Sequence, residues 1–106
     1  MIRQGDVLLI KVEQIPLRAG VTPKKDKIVL AGEISGHNHT IQSGQVLLLE
    51  KRPPEFLRDT SKDLVFAYLK LEEPTQMIHP EHKAVHLDSG LYEVRRQRER
   101  SWTVTD

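Results

Sequence analysis

The sequence predicts an all-β fold, a single small β-barrel or sandwich of about eight short strands. Three observations predict it. No stretch of useful length repeats apolar residues at helical spacing. The apolar runs are instead short and rich in Val, Ile and Leu, as in Val7-Leu8-Leu9-Ile10 and Val46-Leu47-Leu48-Leu49. Breaks rich in Gly, Pro, Ser and Asp separate them. A chain of 106 residues is one domain (1–106) that buries one modest core.

Taken in order, Arg3 to Val12 is the first strand, with Gly5-Asp6 breaking its start. Its centre is apolar on both faces, which suits a central strand. Ile15-Pro16 ends it, and Arg18 to Asp26 is a polar loop. Lys27 to Ile34 is the next strand, carried by β-prone Ile28, Val29 and Leu30. Ser35-Gly36 is a break or bulge, after which His37 to Gln42 continues extended. Ser43-Gly44 is a turn, so Gln45 to Glu50 returns as the second arm of an antiparallel hairpin. Lys51 to Lys62 is a polar loop with room for one helical turn. Asp63 to Leu71 is a long strand. Gln76 to His79 and Lys83 to Leu87 are short strands joined through Pro80-Glu81. After a turn at Asp88-Ser89-Gly90, the last strand runs from Leu91 to about Trp102.

Composition narrows the function classes. The formal net charge is +1, so no bulk field draws nucleic acid or a membrane surface. There is no cysteine, which excludes disulfides, thiolate metal sites and thiol catalysis together. The apolar runs are too short to span a bilayer. Met1 to Asp6 lacks the layout of a signal peptide, and the chain reads as cytoplasmic and not membrane-bound. Strands apolar on both faces and at least one open sheet edge predict a homodimer.

The chain's five histidines are confined to three places: His37-Asn38-His39, His79-Pro80-Glu81-His82, and His86. Residues two apart diverge on a helix but share a face on a strand, about 7 Å apart at the backbone. Imidazoles at that spacing can converge on one cation through bonds of about 2 Å. His79 and His82 bracket a proline turn that brings both rings to one place. The candidate metal ligands are therefore His37, His39, His79 and His82, for a divalent ion such as Zn, Mn or Fe. The same four, with Glu81, are the candidate catalytic acids and bases; Glu81 or Glu33 serves equally as a ligand or as a partner fixing a ring's tautomer. His86 ranks last. The competing reading is that turn histidines are ordinary surface or structural residues.

Arg95, Arg96, Arg98 and Arg100 crowd the last strand. In an extended chain Arg96, Arg98 and Arg100 share a face with Trp102 and could hold a phosphate. The bland alternative is a charged edge strand guarded against pairing with another copy.

Gly36-His37-Asn38-His39 with a later histidine in a short all-β chain resembles the cupin superfamily; Ile41-Gln42-Ser43 stand where a cupin glutamate is expected. The chain also resembles a set of small uncharacterised bacterial and phage-type β proteins. The shared features are Arg3-Gln4-Gly5-Asp6, Gly36-His37-x-His39, the His79 to His82 piece, and Gly90-x-Tyr92-x-Val94 followed by Gln97-Arg98-Glu99. The function expected is a metal- or histidine-dependent hydrolase acting on a phosphodiester, with a small anionic or nucleotide substrate. The alternative is a non-enzymatic module that binds a ligand or partner through a structural or metal-binding histidine cluster.

Overall fold

Ten strands form two antiparallel sheets that share one apolar core, in a computed structural model that describes residues 1–34 and 36–97. The six-stranded sheet has the order β1 (Ile2–Gln4), β2 (Val7–Val12), β10 (Gly90–Arg96), β7 (Val65–Leu71), β6 (Gln45–Lys51), β3 (Gly20–Pro23). The four-stranded sheet has the order β4 (Ile28–Leu30), β5 (His39–Ile41), β8 (Thr75–His79), β9 (His82–Leu87). The all-β prediction holds, and of its two forms the sandwich is the one observed, because neither sheet closes on itself. Among the described residues no helix is long and apolar enough to cross a membrane.

Alternation along the strands builds the core. Val7, Leu9, Val46, Ala67, Leu69 and Val94 face inward from the larger sheet and meet Val29, Ile41, Met77 and Leu87 of the smaller one. At about 1.5–3 kcal/mol for each large apolar side chain removed from water, this layer is the main stabilising term. A second cluster covers the outer face of the larger sheet. Two 3-10 turns, Pro54–Arg58 and Thr60–Leu64, lie there, and Phe56 packs with Leu47, Val65 and Tyr68. Leu47 is thus covered from within the chain, and the homodimer expectation keeps only its open-edge argument.

The strand count exceeds eight for two reasons. Gly5, at φ +57°, turns the chain so sharply that the predicted Arg3–Val12 strand is a hairpin, with Gln4 paired to Val7. Gly20–Pro23, inside the predicted loop, adds an edge strand to β6. The predicted hairpin across Ser43-Gly44 is not formed. β5 pairs with β4 and β8, whereas β6 pairs with β3 and β7, so these two residues carry the chain from one sheet to the other. The crossing is fixed by Gly44 at φ +104°, where a Cβ would stand 2.4 Å from Leu71 Cδ2. Ser43 N–H also donates to Thr75 Oγ1 at 3.0 Å. Alternation along β7 breaks at Phe66: Val94 pairs with Ala67 and Arg95 with Val65, leaving Phe66 as a bulge that packs inward beside Ala67.

Candidate functional site

The register of the smaller sheet sets histidines from three strands side by side. Thr40 and Ile41 of β5 pair with Ile78 and Met77 of β8, and one residue further along His39 comes opposite His79. His79 pairs in turn with His82 of β9 after a register shift at Ile78. Ring centroids are 4.4 Å apart for His39 and His79, 4.5 Å for His79 and His82, and 6.0 Å for His39 and His82. His37 stands edge-on to His79 at 6.3 Å.

His37 and His39 do not share a strand as predicted. The ladder between β4 and β5 begins at His39, opposite Leu30, and His37 lies in the connection before it. That connection is closed by His37 N–H donating to Ile34 O at 3.0 Å. Asn38 Oδ1 also accepts from Gly32 N–H at 3.1 Å. Both histidines nevertheless line one pocket of about 310 Å³, together with His79, His82, Glu81, Glu33, Asp6 and Arg96. The two sequence clusters, forty residues apart, therefore meet. His86 lies outside this pocket, exposed, its Nε2 3.1 Å from Asp88 Oδ1.

The hairpin turn of the larger sheet closes over the row. Gly5 approaches so closely that a Cβ there would be 2.8 Å from His82 Nε2 and 3.3 Å from His39 Cε1. Asp6 follows, with Oδ1 3.6 Å from His39 Nε2 and Oδ2 3.3 Å from Arg96 Nε. Gln4 precedes, 2 % exposed, and joins three strands of the other sheet. Its Nε2 donates to Met77 O at 2.9 Å and to Lys83 O at 2.8 Å, and its Oε1 lies 2.9 Å from His39 Nδ1.

The four rings differ in what their nitrogens do. His37 Nδ1–H donates to Glu81 Oε1 at 3.2 Å, a half-buried ring oriented by an exposed carboxylate. His79 Nδ1 accepts from Glu81 N–H at 3.0 Å. The protein's own backbone thus occupies Nδ1 of His79, which braces the β8–β9 turn. Burial, and next the charge of His82, hold the His79 imidazole below its usual pKa, with Glu81 opposing. His39 is buried and His82 half-buried.

Among the described residues, three carboxylates and one guanidinium line the pocket, and the guanidinium is tied to Asp6. With neutral imidazoles this wall favours a cation. Three or four imidazoles and a carboxylate are a donor set for a borderline divalent metal. Among the described residues, no three His, Asp or Glu side chains are arranged to hold a metal ion. Arg96 is the one predicted phosphate-binding arginine at the pocket; Arg98 and Arg100 lie outside the described residues.

The sequence pattern marks no site residue at Gln4, Gly5 or Asp6. Their signal was local: an amide, a glycine and a carboxylate interrupting the start of an otherwise apolar strand.

No curated protein and no solved structure matches the chain. A family model does match, over residues 3–97, a span that takes in every described residue of the pocket. The chain belongs to that family, described as a domain of unknown function (DUF8820).

Proposed function

We propose that the pocket is the divalent-metal site of a hydrolase acting on a small anionic ester, with a phosphodiester as the substrate class. One observation carries this reading: His37, His39 and His82 come together with Asp6 around a single small pocket. His39, His82 and Asp6 would hold the ion, with His37 as the further ligand from the rim. His79 ranks behind this set because its Nδ1 already accepts from Glu81 N–H. When bound, such an ion supplies Lewis acidity and lowers the cost of deprotonating water. Its charge also offsets the three carboxylates, which otherwise repel a phosphate. Glu81 keeps His37 oriented, and Arg96, held by Asp6, faces the entering anion.

A second reading, a metal-free ligand-binding module, is favoured by the absence among the described residues of three donors already arranged for a metal. Elemental analysis, zinc and manganese titrations, and bis-phosphodiester hydrolysis on the purified chain separate the two. One metal per chain, lost in His39→Ala with His82→Ala, together with chelator-sensitive turnover, is the expected result. A chain that takes up no stoichiometric divalent metal at neutral pH would leave only the second reading.

A further inference from the structure

We infer that Gln4 is the positioning residue of this pocket: its side-chain amide locks neutral His39 as the Nδ1–H tautomer and turns the Nε2 lone pair toward Asp6. One end of the Gln4 side chain faces two backbone carbonyls, Met77 O and Lys83 O, at 2.9 and 2.8 Å. Carbonyl oxygens only accept, so that end must be the NH₂ group. The other end is then the amide oxygen, which also only accepts. It lies 2.9 Å from His39 Nδ1. His39 must therefore place a proton on Nδ1 to satisfy it. A neutral imidazole has one ring proton, so its Nε2 carries the lone pair.

Reversing either choice is costly. Flipping the amide would set its oxygen against two carbonyls. Moving the ring proton to Nε2 would leave two acceptors facing each other at Nδ1. Gln4 is 2 % exposed and His39 4 % exposed, so water does not readily relieve either arrangement. The two carbonyls come from β8 and β9, and Gln4 itself belongs to β1, the edge strand of the other sheet. The tautomer of His39 is thereby tied to the packing of the two sheets. At Nε2 the ring meets Asp6 Oδ1 at 3.6 Å, with Arg96 holding the far carboxylate oxygen. The result is a basic nitrogen and a carboxylate oxygen presented together, an arrangement suited to a cation or a transferable proton.

The tautomer is independent of whether the pocket takes a metal; only the zinc arm of the test rests on the proposed metal site. Nitrogen-15 long-range correlation spectra of the metal-free protein, at a pH where the ring is neutral, read the tautomer directly. His39 is identified by the signal lost in His39→Gln. The expected result is a pyrrole-type Nδ1 and a pyridine-type Nε2 in the wild type. In Gln4→Met the preference should relax toward the Nε2–H form, and zinc affinity should fall 10- to 100-fold, the usual effect of removing a group that orients a ligating histidine. A wild-type His39 protonated on Nε2 would overturn the inference by itself, even if Gln4→Met does not fold. So would a folded Gln4→Met protein with an unchanged tautomer. An intact tautomer shift in a protein that binds no zinc would support the role of Gln4 while removing the metal reading.

Discussion

Gly5 and His82 are in such close approach that a single added carbon at Gly5 would stand 2.8 Å from the His82 Nε2 atom. Gly36 offers a control. It too has a positive φ, +84°, but none of the described residues lies within 4 Å of the Cβ position there. Alanine at either position pays about 1–2 kcal/mol for a left-handed backbone. Only Gly5→Ala also pushes into the histidine row. Both variants should melt below the wild type, Gly5→Ala by the larger amount because its Cβ also meets His82, and on the proposed metal reading Gly5→Ala alone should lose zinc binding. Equal zinc binding in the two proteins would separate the hairpin turn from the site.

His86 tests which histidines matter. Its ring is exposed and bonds to nearby Asp88. His86→Ala should change stability by no more than about 0.5 kcal/mol and leave zinc binding intact. His82→Ala should weaken zinc binding at least tenfold. Matching titrations for the two would argue against a selective pocket.

Tyr68 sets an alkaline limit. Burial, and next the nearby Glu93 carboxylate, push its hydroxyl up to about 12 from 10.0. The unfolded chain therefore loses this proton before the folded one does. Stability from this group is complete below pH 10 and is lost as pH rises from 10 through about 12. Its Oη is also buried with no hydrogen-bond partner among the described residues. Tyr68→Phe should raise stability at pH 7 by about 1 kcal/mol and flatten the fall in Tm above pH 10. A destabilised variant would mean that the hydroxyl has a partner in solution.

Glu93 is 2 % exposed and accepts from Lys62 Nζ and from Arg95 Nε, both at 2.6 Å. Lys62 belongs to the 3-10 segment, so the pair fastens that segment over the outer face of β10. Glu93→Gln leaves two cations facing a neutral group and should cost on the order of 3 kcal/mol. Chemical denaturation reads the loss directly. Zinc binding in the folded variant should persist, since Arg95 and Glu93 are not among the pocket-lining residues.

Short apolar runs between turn residues were enough to determine an all-β chain, because strand periodicity is a local property. They also located β7, β8 and β9 to within a few residues. The histidine segments were legible as chemistry, since unusual residue types at short spacing survive without coordinates. What the sequence could not contain was pairing between distant strands. Ser43-Gly44 looks like any hairpin turn; only the pairing of β5 with β8 and of β6 with β7 makes it a crossing between sheets. His37 and His39 suggested a shared strand, yet the ladder starts at His39, because register is set by the neighbouring strand. The site itself was decided the same way. His39, His79 and His82 are adjacent through the order β5-β8-β9, and Gln4, Gly5 and Asp6 reach them because the β1–β2 turn of one sheet closes over the edge of the other. Local sequence fixes which groups a segment carries, whereas burial of one shared core decides which segments meet.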